Sequence, residues 1–192
     1  MRLRFVAALT AAAWSSAALL GQAPTTVEYR VLATKRTSTL QKEMSEAADA
    51  GFRFAAVMGG ETSFGGDETV VIMTRSGEGQ PTYQYRLLAT SKTSTMQKEL
   101  QEAADAGFEY RGQTVFKTTF GGKEVVCILE RDRAAVSGPR YEYRLVATKR
   151  TATMQKELQE AGDQGFDVVG MTVGSTFVGG TELVTIVRRK VR

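Results

Sequence analysis

The nine residues Thr95-Met96-Gln97-Lys98-Glu99-Leu100-Gln101-Glu102-Ala103 recur letter for letter as Thr153 to Ala161, and a looser copy runs from Thr39 to Ala47. Each copy is followed by an Asp and then Gly-Phe, at Gly51-Phe52, Gly107-Phe108 and Gly165-Phe166. The surrounding landmarks keep step: Tyr29, Tyr85 and Tyr143, then Arg75, Arg131 and Arg189, at spacings of 56 and then 58 residues. Self-similarity at a fixed period constrains the fold more than any local signal, because each copy must form the same small unit and bury its apolar face with its neighbours. The chain is thus expected to hold three units, at 24–76, 82–132 and 140–192, after a leader at 1–23.

Within a unit, the first segment alternates. Tyr141, Tyr143, Leu145 and Ala147 fall on one face of a strand, and Glu142, Arg144, Val146 and Thr148 on the other. A Thr/Ser cluster leads into a helix whose apolar positions Met96, Leu100, Ala103 and Ala104 follow i, i+4, i+7, i+8. Ser38 or Ser94 would cap it, with Gln41 or Gln97 as the capping-box partner, and Thr151 or Thr153 would cap the third helix. Gly107 falls where a left-handed residue ends a helix, and Phe108 can fold back onto the last turn. A second strand begins at the Phe. A Gly-Gly hairpin turn follows, then an apolar strand such as Glu124 to Arg131. That last strand is apolar on both faces, which requires cover on both sides.

The unit is therefore β-α-β-β in an α+β fold. A right-handed crossover makes the first two strands parallel, and the third inserts between them in the order 1-3-2. One helix covers one face. The other face, expected to carry Val125, Cys127 and Leu129, needs a partner, and about 50 residues are marginal alone. Two arrangements answer this: the units pack their bare faces together, with pseudo-threefold symmetry as one form, or they join side by side in an extended sheet.

Residues 1–23 read as a secretory signal peptide: Arg2 and Arg4, then an apolar Ala-rich run from Phe5 to Leu20, then small residues at Gly21 and Ala23. Removing them takes two of the 25 basic residues and none of the 21 acidic ones, leaving a net charge of +2. The expected location is periplasmic or secreted, with no membrane span after cleavage. A lone cysteine, Cys127, allows no internal disulfide and is expected to be a buried thiol.

The Tyr-x-Tyr-Arg strand, the helix ending in Gly-aromatic and the final strand ending in Arg resemble the small bacterial domain of unknown function DUF4177. Residues 28–75, 84–131 and 142–189 would each be one copy. Where that family has Gly-Trp, this chain has Gly-Phe, which keeps the apolar plug and lacks the indole N–H. The resemblance supports the β-α-β-β reading and implies no established activity.

The chain has no histidine, which removes the usual general base near neutral pH and the commonest nitrogen ligand. Zinc, iron–sulfur and haem sites of the ordinary kinds are not expected, and no cofactor is called for. Glu99, Glu102 and Asp105 and their repeats sit among Lys and Gln on the polar helix face, so a carboxylate-dependent hydrolase is the remote reading. Low mature charge argues against a nucleic-acid partner. The recurring Arg30, Arg86 and Arg144, with Glu68, Glu124 and Glu182, are the candidate binding residues: either Arg–Glu pairs across the sheet or between units, or a threefold guanidinium set for a small acidic ligand. The expectation is a non-enzymatic, exported binding or structural module of the bacterial envelope. Its partner would be an envelope protein or that small acidic ligand.

Overall fold

The computed structural model describes residues 26–62, 66–77, 83–90, 92–117, 123–135, 140–175 and 181–191. The stretch expected as a signal peptide, Gly65 of the first expected Gly-Gly turn, the Gly-Gly turns of the second and third units and most of both linkers lie outside these residues. The first unit comprises β1 (Val27–Thr34), α1 (Thr37–Asp49), β2 (Arg53–Thr62) and β3 (Gly66–Ser76). The second comprises β4 (Tyr83–Thr90), α2 (Thr93–Asp105), β5 (Glu109–Lys117) and β6 (Lys123–Asp132). The third comprises β7 (Arg140–Thr148), α3 (Thr151–Asp163), β8 (Asp167–Ser175) and β9 (Thr181–Val191). The sheets are separate and ordered β1-β3-β2, β4-β6-β5 and β7-β9-β8. This is the expected 1-3-2 order, with the central strand antiparallel to both neighbours. The extended-sheet arrangement is not the one adopted.

The helices end as the Gly-Phe pairs foretell. Gly51, Gly107 and Gly165 take φ of 85°, 82° and 81°. In the first unit the Phe52 N–H donates to Ala47 O at 3.0 Å and the Gly51 N–H to Ala48 O at 2.9 Å, both bonds of a Schellman motif. The helix starts differ from expectation. The N-cap residues are Arg36, Lys92 and Arg150, and no side chain caps the helix. Instead the hydroxyls of Thr34, Thr90 and Thr148, at the ends of the preceding strands, accept the N-cap N–H groups at 3.2 Å. This leaves Gln41 and Gln97 free for another use.

The units pack as alternating layers. Helix α1 buries Leu40, Met44, Ala47 and Ala48 in a cluster with Val71 and Met73 of its own sheet and with Tyr85, Leu87, Val126 and Ile128 of the second. Helix α2 does the same between Val125, Cys127 and Leu129 of its own sheet and Tyr143 and Ile186 of the third. The bare face of a sheet is thus covered by the preceding unit's helix, not by another bare face. The facing of β6 is the reverse of that expected: Val125, Cys127 and Leu129 lie on their own helix, and Val126 and Ile128 form the face that needs a neighbour. The two readings are equally apolar, so periodicity alone could not choose between them.

Among the described residues no helix precedes the first sheet. Tyr29 is 69% exposed, whereas its counterparts Tyr85 and Tyr143 are 3% and 2% exposed. Ile72 is likewise open, while Ile128 and Ile186 are fully buried.

Candidate functional site: the seams between units

Each seam joins the trailing side of one unit, its helix and second strand, to the leading side of the next. Strands β4 and β7 are sheet edges, with backbone groups that the central strand does not take. Glutamines of the preceding helix take them. Gln41 Oε1 accepts from the Leu87 N–H at 2.9 Å. Gln97 Oε1 accepts from the Leu145 N–H at 2.7 Å, and its Nε2 donates to Tyr143 O at 2.7 Å. Gln101 accepts from the Tyr143 N–H at 3.0 Å. The amide side chains act as a substitute strand.

Tyrosines lock the other edge. A bulge in β2 after Phe54 and its counterpart in β5 after Tyr110 turn a peptide N–H towards the next unit. Tyr85 accepts from the Phe54 N–H at 2.7 Å, and Tyr143 from the Tyr110 N–H at 2.9 Å. The ring of Phe54 lies over Gly112, where an added Cβ would stand 3.1 Å from Phe54 Cζ, and Tyr110 lies over Gly170, 2.9 Å from its Cζ. Burial raises the hydroxyl pKa of Tyr85, Tyr110 and Tyr143, so all three stay protonated.

Charges at the seams alternate in sign. Between the first and second units the Glu130 carboxylate, 2% exposed, meets Arg53 at 2.8 Å and Arg111 at 2.9 Å and accepts from Tyr85 at 2.8 Å. Its hydrogen bond to Arg53 raises the guanidinium pKa against the opposing effect of burial. Between the second and third units the repeat positions are reversed: Glu109 stands where Arg53 stood, Arg188 where Glu130 stood, and they pair at 2.8 Å. A cleft of about 530 Å³ opens beside these pairs, bounded by Arg53, Glu109, Arg111, Glu130, Arg131 and Arg140 among others. Its guanidiniums are already matched by carboxylates in part, which weakens it as an anion site.

The strand-one arginines singled out by the sequence are placed elsewhere. Arg30, Arg86 and Arg144 stack over Phe52, Phe108 and Phe166 at 4.5, 5.2 and 4.4 Å from the ring centroids. Arg75, Arg131 and Arg189 stack on the same rings at 4.8, 4.8 and 4.7 Å. Each Phe is thus held by two guanidiniums of its own unit, and the three strand-one arginines are distributed one per unit. Strand register sets them apart from the glutamates: Arg86 is opposite Leu129, while Glu124 is opposite Phe116 at the other end of β6. Glu182 accepts from Thr93 across the second seam at 2.7 Å, and Glu68 lies opposite Gly60 in β3.

The helix carboxylates Glu46, Glu102 and Glu160 pair with Lys42, Lys98 and Lys156 one turn away on exposed faces. Among the described residues no group of three or more Cys, Asp or Glu side chains could hold a metal ion, and no helix is long and apolar enough to cross a membrane. Cys127 is fully buried, and burial pushes its thiol up to about 12.

The seam residues missed by sequence reasoning are those where the copies differ: Arg53, Glu109 and Asp167 at one position, Thr74, Glu130 and Arg188 at another. Their reversal of sign between copies was the available signal. No known protein family, curated protein or solved structure matches the chain.

Proposed function

We propose that this chain is an exported, non-enzymatic interaction module of the bacterial cell envelope, a scaffold of three stacked units. One observation carries the reading. All nine large apolar side chains that are exposed among the described residues belong to the first or third unit, and none to the second. Apolar surface concentrated at the two ends of a stack marks contact surfaces. The charged groups of the seams hold units to one another, as in a structural joint. The signal-like leader and the resemblance to DUF4177 support the envelope location and the bacterial setting. The acidic-ligand reading through Arg30, Arg86 and Arg144 has less support, because each is stacked on its own Phe. The hydrolase reading has less still, because the helix carboxylates are solvated and paired with lysine.

Fractionation of bacteria producing a C-terminally tagged chain tests the reading. Loss of roughly the first two dozen residues, with the product in the periplasm or medium, is expected. A full-length product confined to the cytoplasm would overturn it.

A further inference from the structure

The interface between units occurs twice among the described residues, and one half of it is exposed at each end of the described stack. The leading half is on the first unit: Tyr29 and Val31 on β1, Ile72 on β3 and Met58 on β2 are exposed. The trailing half is on the third: Val168, Met171 and Val173 of β8 are exposed, and Gln155 and Gln159 of α3 face solvent. We propose that the partner of each end is a second copy of this chain, joined head to tail, leading face to trailing face. This rests on the interaction-module reading and names its partner.

Four observations point to self-docking over a foreign partner. First, α3 repeats the residues of α2 from Thr153 to Ala161, including Gln155 and Gln159 at the positions from which Gln97 and Gln101 hold the edge of β7. In α3 only Met154 and Ala161 are buried, so this face is made but meets no partner unit among the described residues. Second, β1 keeps the tyrosine whose hydroxyl locks the internal seams, and β8 keeps the bulge, after Val168, that presents the N–H for it. Third, the ring-over-glycine contacts become Val168 and Ala56, a smaller knob for a shallower hole, and Ala56 is exposed. Fourth, the charge position becomes Asp167 opposite Thr74, an acceptor facing a hydroxyl donor with no like-charge clash. Repeat proteins that stay monomeric close their ends with polar caps, and this chain has apolar side chains there. Such a joint is heterologous: it closes into a ring or extends into a filament, according to the rotation per copy.

The test uses the purified chain in sedimentation velocity over a wide concentration range. Wild type is expected to gain mass with concentration. Val31→Glu disables the leading face and Met171→Glu the trailing face; both sites are exposed, and unchanged far-ultraviolet circular dichroism and urea midpoint verify folding. Each variant alone is expected to remain a monomer. An equimolar mixture is expected to form a dimer and nothing larger, since one intact face of each kind remains. A wild-type chain that is monomeric throughout overturns self-association, as does assembly of either variant by itself. Neither outcome touches the fractionation result, so failure here is distinguishable from failure of the exported-module reading.

Discussion

Three tyrosines at one repeat position provide an internally controlled experiment. Tyr85 accepts from the Phe54 N–H and donates to the buried Glu130 carboxylate. Tyr85→Phe leaves both groups short of a partner inside the first seam. An unsatisfied buried group costs ~1–3 kcal/mol, and a lost bond to a charged group falls in the same range. Glu130 keeps Arg53 and Arg111, which limits the sum to about 2–4 kcal/mol. Tyr143→Phe strands the buried Tyr110 N–H, while Arg188 keeps Glu109, for about 1–3 kcal/mol. Tyr29→Phe removes a hydroxyl from a side chain 69% exposed and should stay within about 0.5 kcal/mol. Urea denaturation at a concentration where the chain is monomeric reads all three, with Tm shifts of about 2–4 °C per kcal/mol as a second measure. Equal effects at the three positions, or the largest at Tyr29, would refute the claim that the second and third sheets are each covered by the helix and strand before them.

The same logic separates two glutamines: Gln97→Ala should lower stability by about 1–3 kcal/mol by stranding the Leu145 N–H and Tyr143 O, whereas Gln155→Ala in the monomer should be near neutral, both read by urea midpoint. Gly59→Ala would place a Cβ 2.5 Å from the Val115 carbonyl oxygen and against the Thr114 hydroxyl, and the seam must open at a cost of about 1–3 kcal/mol. Gly162→Ala, in a helix with nothing within 4 Å of the added carbon, should instead stabilise by about 0.5–1 kcal/mol. The Cys127 thiol is raised by burial from 9.0 to about 12, so the unfolded chain loses its proton first, and the stability this group contributes is full below pH 9.0 and lost as pH climbs towards 12. Wild type should therefore lose more stability between pH 8 and 10.5 than Cys127→Val, the residue that the first unit carries as Val71, in paired urea titrations.

Much of the fold was legible because the repeat multiplies each weak signal by three. The buried helix face appears at Met96, Leu100, Ala103 and Ala104, as their spacing demands, and the Gly-Phe pairs form the helix stops. The strand order followed from one crossover and one hairpin. What covers a bare sheet was not legible, since β6 is apolar on both faces and its two parities are equivalent until a neighbour is known. The role of the glutamines was hidden by a plausible local use as capping partners, which the cationic N-cap residues do not invite. The strand-one arginines and the glutamates both recur, which invites pairing them, yet recurrence within a unit equally fits an intra-unit partner, the ring at Phe108. The true seam charges, Arg53 with Glu130 and Glu109 with Arg188, break the repeat, so an eye trained on identity between copies passes over them.

Amide hydrogen exchange at Val31, Leu87 and Leu145, measured by NMR on the monomeric chain, tests the layered stack most directly. These are one repeat position in three settings, and only Leu87 and Leu145 donate to a glutamine of the preceding helix. The account predicts slow exchange at Leu87 and Leu145 and fast exchange at Val31. Comparable rates at all three amides would contradict it.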